Sequence, residues 1–179
     1  MDPPEQAQWL ATHIPHRVRA AIARLPMENS ILRVTATIDP HCRTEQDHIY
    51  WRCATDSIWE GRLAATRWLI EFVGIKQDDA GQAAVCRKSK KFGGKDVRID
   101  DLDGGVLLDH RALEAHLLGS VWKGCSQASS HATNEYKHPS VSDGKELPEA
   151  LTIIAEHLQN TIYQKAGKNL RDYVLEPVK

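Results

Sequence analysis

The chain has 179 residues, 41% of them apolar and 26% charged, with a formal net charge of −1. This is an ordinary globular composition, on a chain long enough to bury a core without disulfides or metal. The balanced charge excludes a strong global field toward nucleic acid or an anionic membrane and leaves room only for a local basic patch.

Residues 3–14 (PPEQAQWLATHI) begin a short helix, since prolines are tolerated where the first helical N–H groups lack partners anyway. Pro15 restarts the chain. Residues 15–25 then place Val18, Ile22 and Leu25 at helical spacing, and Pro26 ends that segment. Residues 31–39 (ILRVTATID) alternate apolar and polar side chains as a strand would. The only pairing candidates are residues 97–99 and 106–108, so a helix or an extended connector is favoured there.

Asp39-Pro40 is a helix start signal. From there to Val73 the sequence reads as one long helix. Trp51, Ala54, Ile58, Ala65, Leu69 and Phe72 mark one stripe, and Trp59, Leu63, Ile70 and Val73 widen it. A stripe this wide predicts a helix packed on more than one neighbour, with Gly74 as its C-cap. Residues 76–105 read as a long polar loop with a basic run at 87–95 and an acidic run at 96–105. Residues 107–130 form the next helix, with Leu113, Leu117, Val121 and Trp122 on its apolar side. A second polar loop follows at 131–148. The last main helix covers residues 149–165 behind Pro148, with Leu151, Ile154, Leu158 and Ile162 on one face and Gly167 as its C-cap. The tail adds a short helical turn. The expected fold is therefore all-α: a bundle of three to four main helices over residues 39–165, with an N-terminal appendage (1–38), a tail (166–179) and two long polar loops.

The cysteines at 42, 53, 86 and 125 form no CxxC spacing and read as reduced thiols. MDPPEQAQW lacks the basic and apolar regions of a secretory signal. The longest apolar stretch, residues 68–75, is too short to span a membrane. A cytoplasmic protein without membrane contact is expected. Nine histidines offer no HExxH and no paired carboxylate–histidine motifs, so neither a metal nor a cofactor is expected.

Several residues nevertheless carry possible chemistry. Arg111 and His116 stand in RALEAH, and Arg43 and His48 in RTEQDH. An Arg and a His at that spacing suit metal-independent RNA cleavage, with His as acid or base and Arg stabilising phosphorane charge. Arg87, Lys88, Lys90, Lys91 and Lys95 surround Phe92, a pattern that can grip phosphate and stack on a base. The segment 129–138 gathers Ser129, Ser130, His131 and Thr133, groups that cap helix ends or line a site. Arg67 and Glu71 are four apart on the long helix, at ion-pair spacing, and a structural salt bridge is the favoured reading.

DSIWEGRLAATRWLIEF, then DVRIDDL, then VWKGCSQASSHAT resemble a pattern of uncharacterised bacterial helical proteins similar to the HEPN class of α-helical bundles. That class belongs to toxin–antitoxin and phage-defence systems. The resemblance spans roughly residues 50–165 and singles out Arg67, Glu71, Asp96, Asp101, His131 and Thr133. Active HEPN nucleases carry an Arg, a polar residue and a His in the last helix. Here His157 stands in that helix with no Arg four to six residues before it.

Together these readings favour a non-enzymatic interaction or ligand-sensing module of a bacterial stress or defence system, working through self-association or a protein partner. Five tryptophans supply candidate interface residues. A metal-independent ribonuclease using Arg111 and His116, or His131 with Arg67, is the alternative. Phosphate or nucleic-acid binding through Lys90, Lys91 and Phe92 is the third reading.

Overall fold

The computed structural model describes residues 1–22, 45–87, 97–130 and 146–175, the side chains of 45–56, 128–130 and 175 excepted. Within these residues the chain is mostly helical, with one small two-stranded sheet. No described helix is long and apolar enough to cross a membrane.

Helix α1 (Pro3–Gln8) opens under an Asp2 cap, whose carboxylate accepts the Glu5 N–H at 2.8 Å. A π turn (Trp9–His13) carries it without a break into α2 (Ile14–Ile22). Pro15 explains the π turn. In that turn the Ile14 N–H bonds the Trp9 carbonyl, and Pro15 has no N–H to offer the Leu10 carbonyl. The orphaned carbonyl is taken instead by the buried Tyr163 hydroxyl, which donates to it at 2.6 Å. The boundary expected at Pro15 is thus a change of helix type rather than a break. Leu10, Ile14, Val18 and Ala21 join the common core.

Helix α3 (Glu45–Phe72) is the central element, packed on α2 and on α4 (Leu113–Ser130). The C-terminal half of its wide stripe behaves as its sequence predicts: Leu63, Ala65, Leu69, Ile70, Phe72 and Val73 are all buried, Ile58 and Trp59 are half-buried, and the side chains of Trp51 and Ala54 lie outside the described residues. Thr66 is buried among them and donates its hydroxyl to the Arg62 carbonyl at 2.9 Å. Trp9, Trp68 and Phe72 stack where α1 and α2 meet α3, the Trp68 and Phe72 ring centres lying 4.9 Å apart. Gly74 ends α3 at φ 94°. A Cβ there would sit 2.6 Å from Leu107 Cδ2, so glycine is needed for space as well as for the left-handed backbone.

After Gly74 the chain departs from an all-α plan. Strand β1 (Ile75–Gln77) pairs antiparallel with β2 (Ala83–Val85), Ile75 facing Val85. The turn between them is made by Asp78, which accepts the Gln82 N–H on its side chain at 2.8 Å, and by Gly81 at φ 80°. Three-residue strands are too short to show alternation, which is why the region reads as loop in the sequence. Residues 97–99 and 106–108 are not strands. A 3₁₀ turn (Ile99–Asp101) follows instead, and the Leu108 N–H ties the next stretch to the Val73 carbonyl at 3.0 Å. The segment 31–38 lies outside the described residues.

Helix α4 starts six residues later than expected, because Asp109 organises a turn ahead of it. Its carbonyl accepts the Ala112 N–H at 3.0 Å and its side chain accepts the Arg111 N–H at 3.0 Å. Leu113 is consequently not a core residue but is 84% exposed, and the buried face is Ala115, Leu118, Val121 and Cys125. Helix α5 (Glu146–Leu158) buries Leu147, Ala150, Ile154 and Leu158, then passes through a second π turn (Gln159–Tyr163). Gly167 at φ 66° caps it, and α6 (Leu170–Leu175) folds back against α2. That short helix is the helical turn expected in the tail.

Candidate functional site

Two places in the fold gather polar side chains. The first is the C-terminal end of α3, where Arg67 and Glu71 lie one turn apart and face α4. Arg67 Nε donates to Glu71 Oε1 at 2.9 Å. The Trp122 indole N–H, arriving from α4, donates to the same oxygen at 2.8 Å. The Arg67 guanidinium carbon lies 5.6 Å from the centre of the Trp122 ring, within cation–π range. One carboxylate oxygen thus holds an arginine and a tryptophan, and helix α3 is pinned to α4.

Two thiols share this neighbourhood. Burial pushes the Cys86 thiol up, and the Glu71 charge adds to that, against Lys76, Arg98 and Arg67. Burial pushes the Cys125 thiol from its ordinary 9.0 up to about 12, opposed by Arg67. Both are therefore protonated and weakly nucleophilic at neutral pH. Arg98 grips Asp100 through two bonds of 3.1 and 2.7 Å and donates Nη1 to the Cys86 carbonyl at 2.7 Å. Asp101 accepts the Arg98 N–H at 2.8 Å. The described part of the acidic run thus serves turn formation.

The remaining candidates do not join this end. Arg111 sits exposed in the turn before α4, and His116 is exposed on that helix next to buried Ala115. Trp122, not His116, is the α4 residue that meets Arg67. No hydrogen bond or ion pair among the described residues joins Arg67, Arg111 and His116 to one another. His131, Thr133, Lys90, Lys91, Phe92, Asp96 and Arg43 lie outside the described residues, as does the side chain of His48. Among the described residues no group of three or more His, Cys, Asp or Glu side chains could hold a metal ion.

The second place is a groove of about 690 Å³ between α2, α5 and α6. Its apolar wall is made by Val18 and Ile22 of α2, Leu151 and Ala155 of α5, and Leu170 and Val174 of α6. Helical spacing assigns Ile22 and Leu151 to the core. The structure leaves Ile22 43% exposed and Leu151 half-buried, both as groove wall. Periodicity finds an apolar face but not whether another element covers it, so the sequence held no direct signal for the groove.

Polar groups in the groove fall into two sets. Arg62 is only 4% exposed, donates Nε to the Ala21 carbonyl at 3.2 Å and lies over the Trp59 ring. Thr152 donates to the Pro148 carbonyl at 3.0 Å. Gln159 spends both ends of its carboxamide: Nε2 donates to the Lys168 carbonyl at 3.3 Å, and Oε1 accepts the Leu170 N–H at 2.8 Å. Those groups build the groove. Glu156, Asn160, Arg171 and the amide nitrogen of Asn169 also line it, and among the described residues their side chains have no hydrogen-bond or ion-pair partner.

A second cleft, of about 540 Å³, lies beside α1. There Gln6 Oε1 accepts the Asp103 N–H at 3.0 Å, and Asp101 is already committed to the 3₁₀ turn.

A scan against protein-family models, a search of curated proteins and a search of solved structures each found no match to this chain.

Proposed function

We propose that this protein is a non-enzymatic, ligand-sensing helical module whose binding surface is the groove between α2, α5 and α6. The observation that carries the reading is the groove itself. Its volume of about 690 Å³ falls within the range of small-molecule sites, roughly 300–1,000 Å³. An apolar wall with a few convergent polar groups is the usual composition of such a site. The nuclease reading needs an arginine and a histidine acting on one phosphate, and the described Arg67 is occupied by Glu71 and Trp122. The expected bacterial stress or phage-defence setting rests on the HEPN-like resemblance alone.

The test is binding of 1-anilinonaphthalene-8-sulfonate, an anionic fluorophore whose apolar ring system is of suitable size. Saturable binding at one site per chain is expected. Ala155→Trp and Thr152→Trp, which place an indole in the groove, should each reduce it at least tenfold while the far-ultraviolet circular dichroism stays unchanged. Thr152 is exposed, so its variant remains informative if Ala155→Trp fails to fold. Absence of saturable binding, or binding indifferent to both substitutions, overturns the proposal.

A further inference from the structure

The polar groups left over in the groove have a pattern, and it bears on what the ligand carries. Glu156 and Asn160 are four residues apart on the α5 wall, where the helix passes into its second π turn. Asn169 and Arg171 lie on the opposite wall, at the start of α6. Gln159 fastens the two walls at this level, because it bonds the backbone of Lys168 and of Leu170, the residues on either side of Asn169. Asn160 is the next residue after that clasp. The groove lining therefore carries a carboxylate and a carboxamide on the α5 wall, and a guanidinium and a carboxamide on the α6 wall. No ion pair joins Glu156 to Arg171. Asn169 Oδ1 is used locally by the Arg171 N–H at 3.0 Å, which leaves its amide nitrogen to donate.

An apolar ligand with an uncharged end would leave both of these charges without a counterpart among the described residues. A purely anionic head would face Glu156, and a purely cationic head would face Arg171. Charge complementarity selects a head that carries both signs. We infer that the groove takes a small amphipathic zwitterion of the aliphatic amino-acid class. Its alkyl chain lies along Ile22, Leu151, Ala155 and Val174, its carboxylate is held by Arg171, and its ammonium is held by Glu156. The two asparagines supply amide bonds to the same head. This inference rests on the groove being a ligand site, as proposed above.

Four probes of one chain length separate the terms: 2-aminooctanoic acid, octanoate, octylamine and octanol. Each is titrated into the full chain and followed by nuclear magnetic resonance shifts. Both charges sit on the exposed rim, so each match should be modest, about threefold to fivefold in affinity. The zwitterion should bind tighter than each of the other three by at least that factor. Arg171→Ala should erase its margin over octylamine and keep its margin over octanoate. Glu156→Ala should do the reverse. If octanoate or octylamine binds as tightly as the zwitterion, or if both margins survive both substitutions, the inference is overturned while the groove reading stands. If none of the four binds while the fluorophore does, the inference is overturned and the groove reading again stands; if Ala155→Trp and Thr152→Trp leave binding of the fluorophore and of all four unchanged, the groove reading falls and the inference with it.

Discussion

At the C-terminal end of α3, Arg67, Glu71, Trp122, Arg98 and Asp101 are bonded to one another or to nearby backbone. At the α5–α6 end of the groove, Glu156, Asn160 and Arg171 carry polar side chains with no such partner among the described residues. Both regions look alike in composition, each mixing charges and amides with apolar helix faces. They differ in where the polar groups spend their bonds. A half-buried polar group with a partner fixes the relative placement of two elements, and losing it costs stability. An exposed polar group at the rim of a cavity does nothing for the fold and remains available to a ligand. The contrast gives the first region a structural role and, on the function proposed above, leaves the second for recognition, and each reading can be broken separately.

The largest expected effect is on pH dependence, and it belongs to the α3 end. Burial holds the Cys125 thiol protonated up to about 12, whereas the unfolded chain releases that proton near 9.0. Above pH 9 the native state therefore binds more protons than the unfolded state, and stability falls as pH rises. The contribution is fully present below pH 9 and is lost between 9 and about 12. One such group contributes about 1.4 kcal/mol per pH unit, hence about 3 kcal/mol by pH 11. Cys86 shifts in the same direction, and the Tyr163 hydroxyl, raised by burial, adds to the decline above pH 10. Urea midpoints at pH 8 and pH 11 measure the fall. Cys125→Ala should flatten it, and an unchanged slope in that variant would refute the assignment.

Next in size is Glu71→Ala, which should cost about 2 kcal/mol, since one carboxylate oxygen serves both Arg67 and Trp122. The same substitution removes a charge that holds the Cys86 thiol up and leaves the nearby cations that lower it. Cys86 should therefore alkylate faster with iodoacetamide at pH 8 in the folded variant. Glu71→Gln keeps an acceptor for the indole and should lose about half as much stability. A Glu71→Ala protein as stable as wild type would mean that the cluster does not pin α3 to α4.

Tyr163→Phe comes third, at about 1–2 kcal/mol. It removes the hydroxyl that donates to the Leu10 carbonyl, which Pro15 cannot serve. The urea midpoint should drop with the slope unchanged, as for a loss of stability without a change in compactness.

The sequence exposes one of these regions far better than the other. Arg67 and Glu71 are readable because ion-pair spacing is a local rule, and Gly74 and Gly167 are readable as caps for the same reason. The wide stripe of α3 is legible from periodicity over many turns. The hairpin is hidden because each strand has three residues. The onset of α4 is misplaced because Asp109 outweighs the apolar run around it. Trp122 reads as apolar helix face, and nothing local announces that its N–H reaches a carboxylate 51 residues earlier. The groove is the least legible feature. It depends on α6 folding back on α2 through Gly167, and on Gln159 clasping the turn, neither of which follows from any helix taken alone.

The smallest predicted effect decides whether the comparison holds. Glu156→Ala, Asn160→Ala and Arg171→Ala should each change stability by no more than about 0.5 kcal/mol, as expected for surface sites without a partner among the described residues. That near-neutrality is informative because Gln159 lies beside them in the same groove. Gln159→Ala breaks the bonds to Lys168 and Leu170 and should cost about 1–2 kcal/mol. The pairing of a costly Gln159 with three neutral neighbours is what a clasp flanked by recognition groups produces. Should any of the three cost more than about 1 kcal/mol, that side chain is holding the fold. The groove end would then resemble the α3 end, and the distinction between the two regions would disappear.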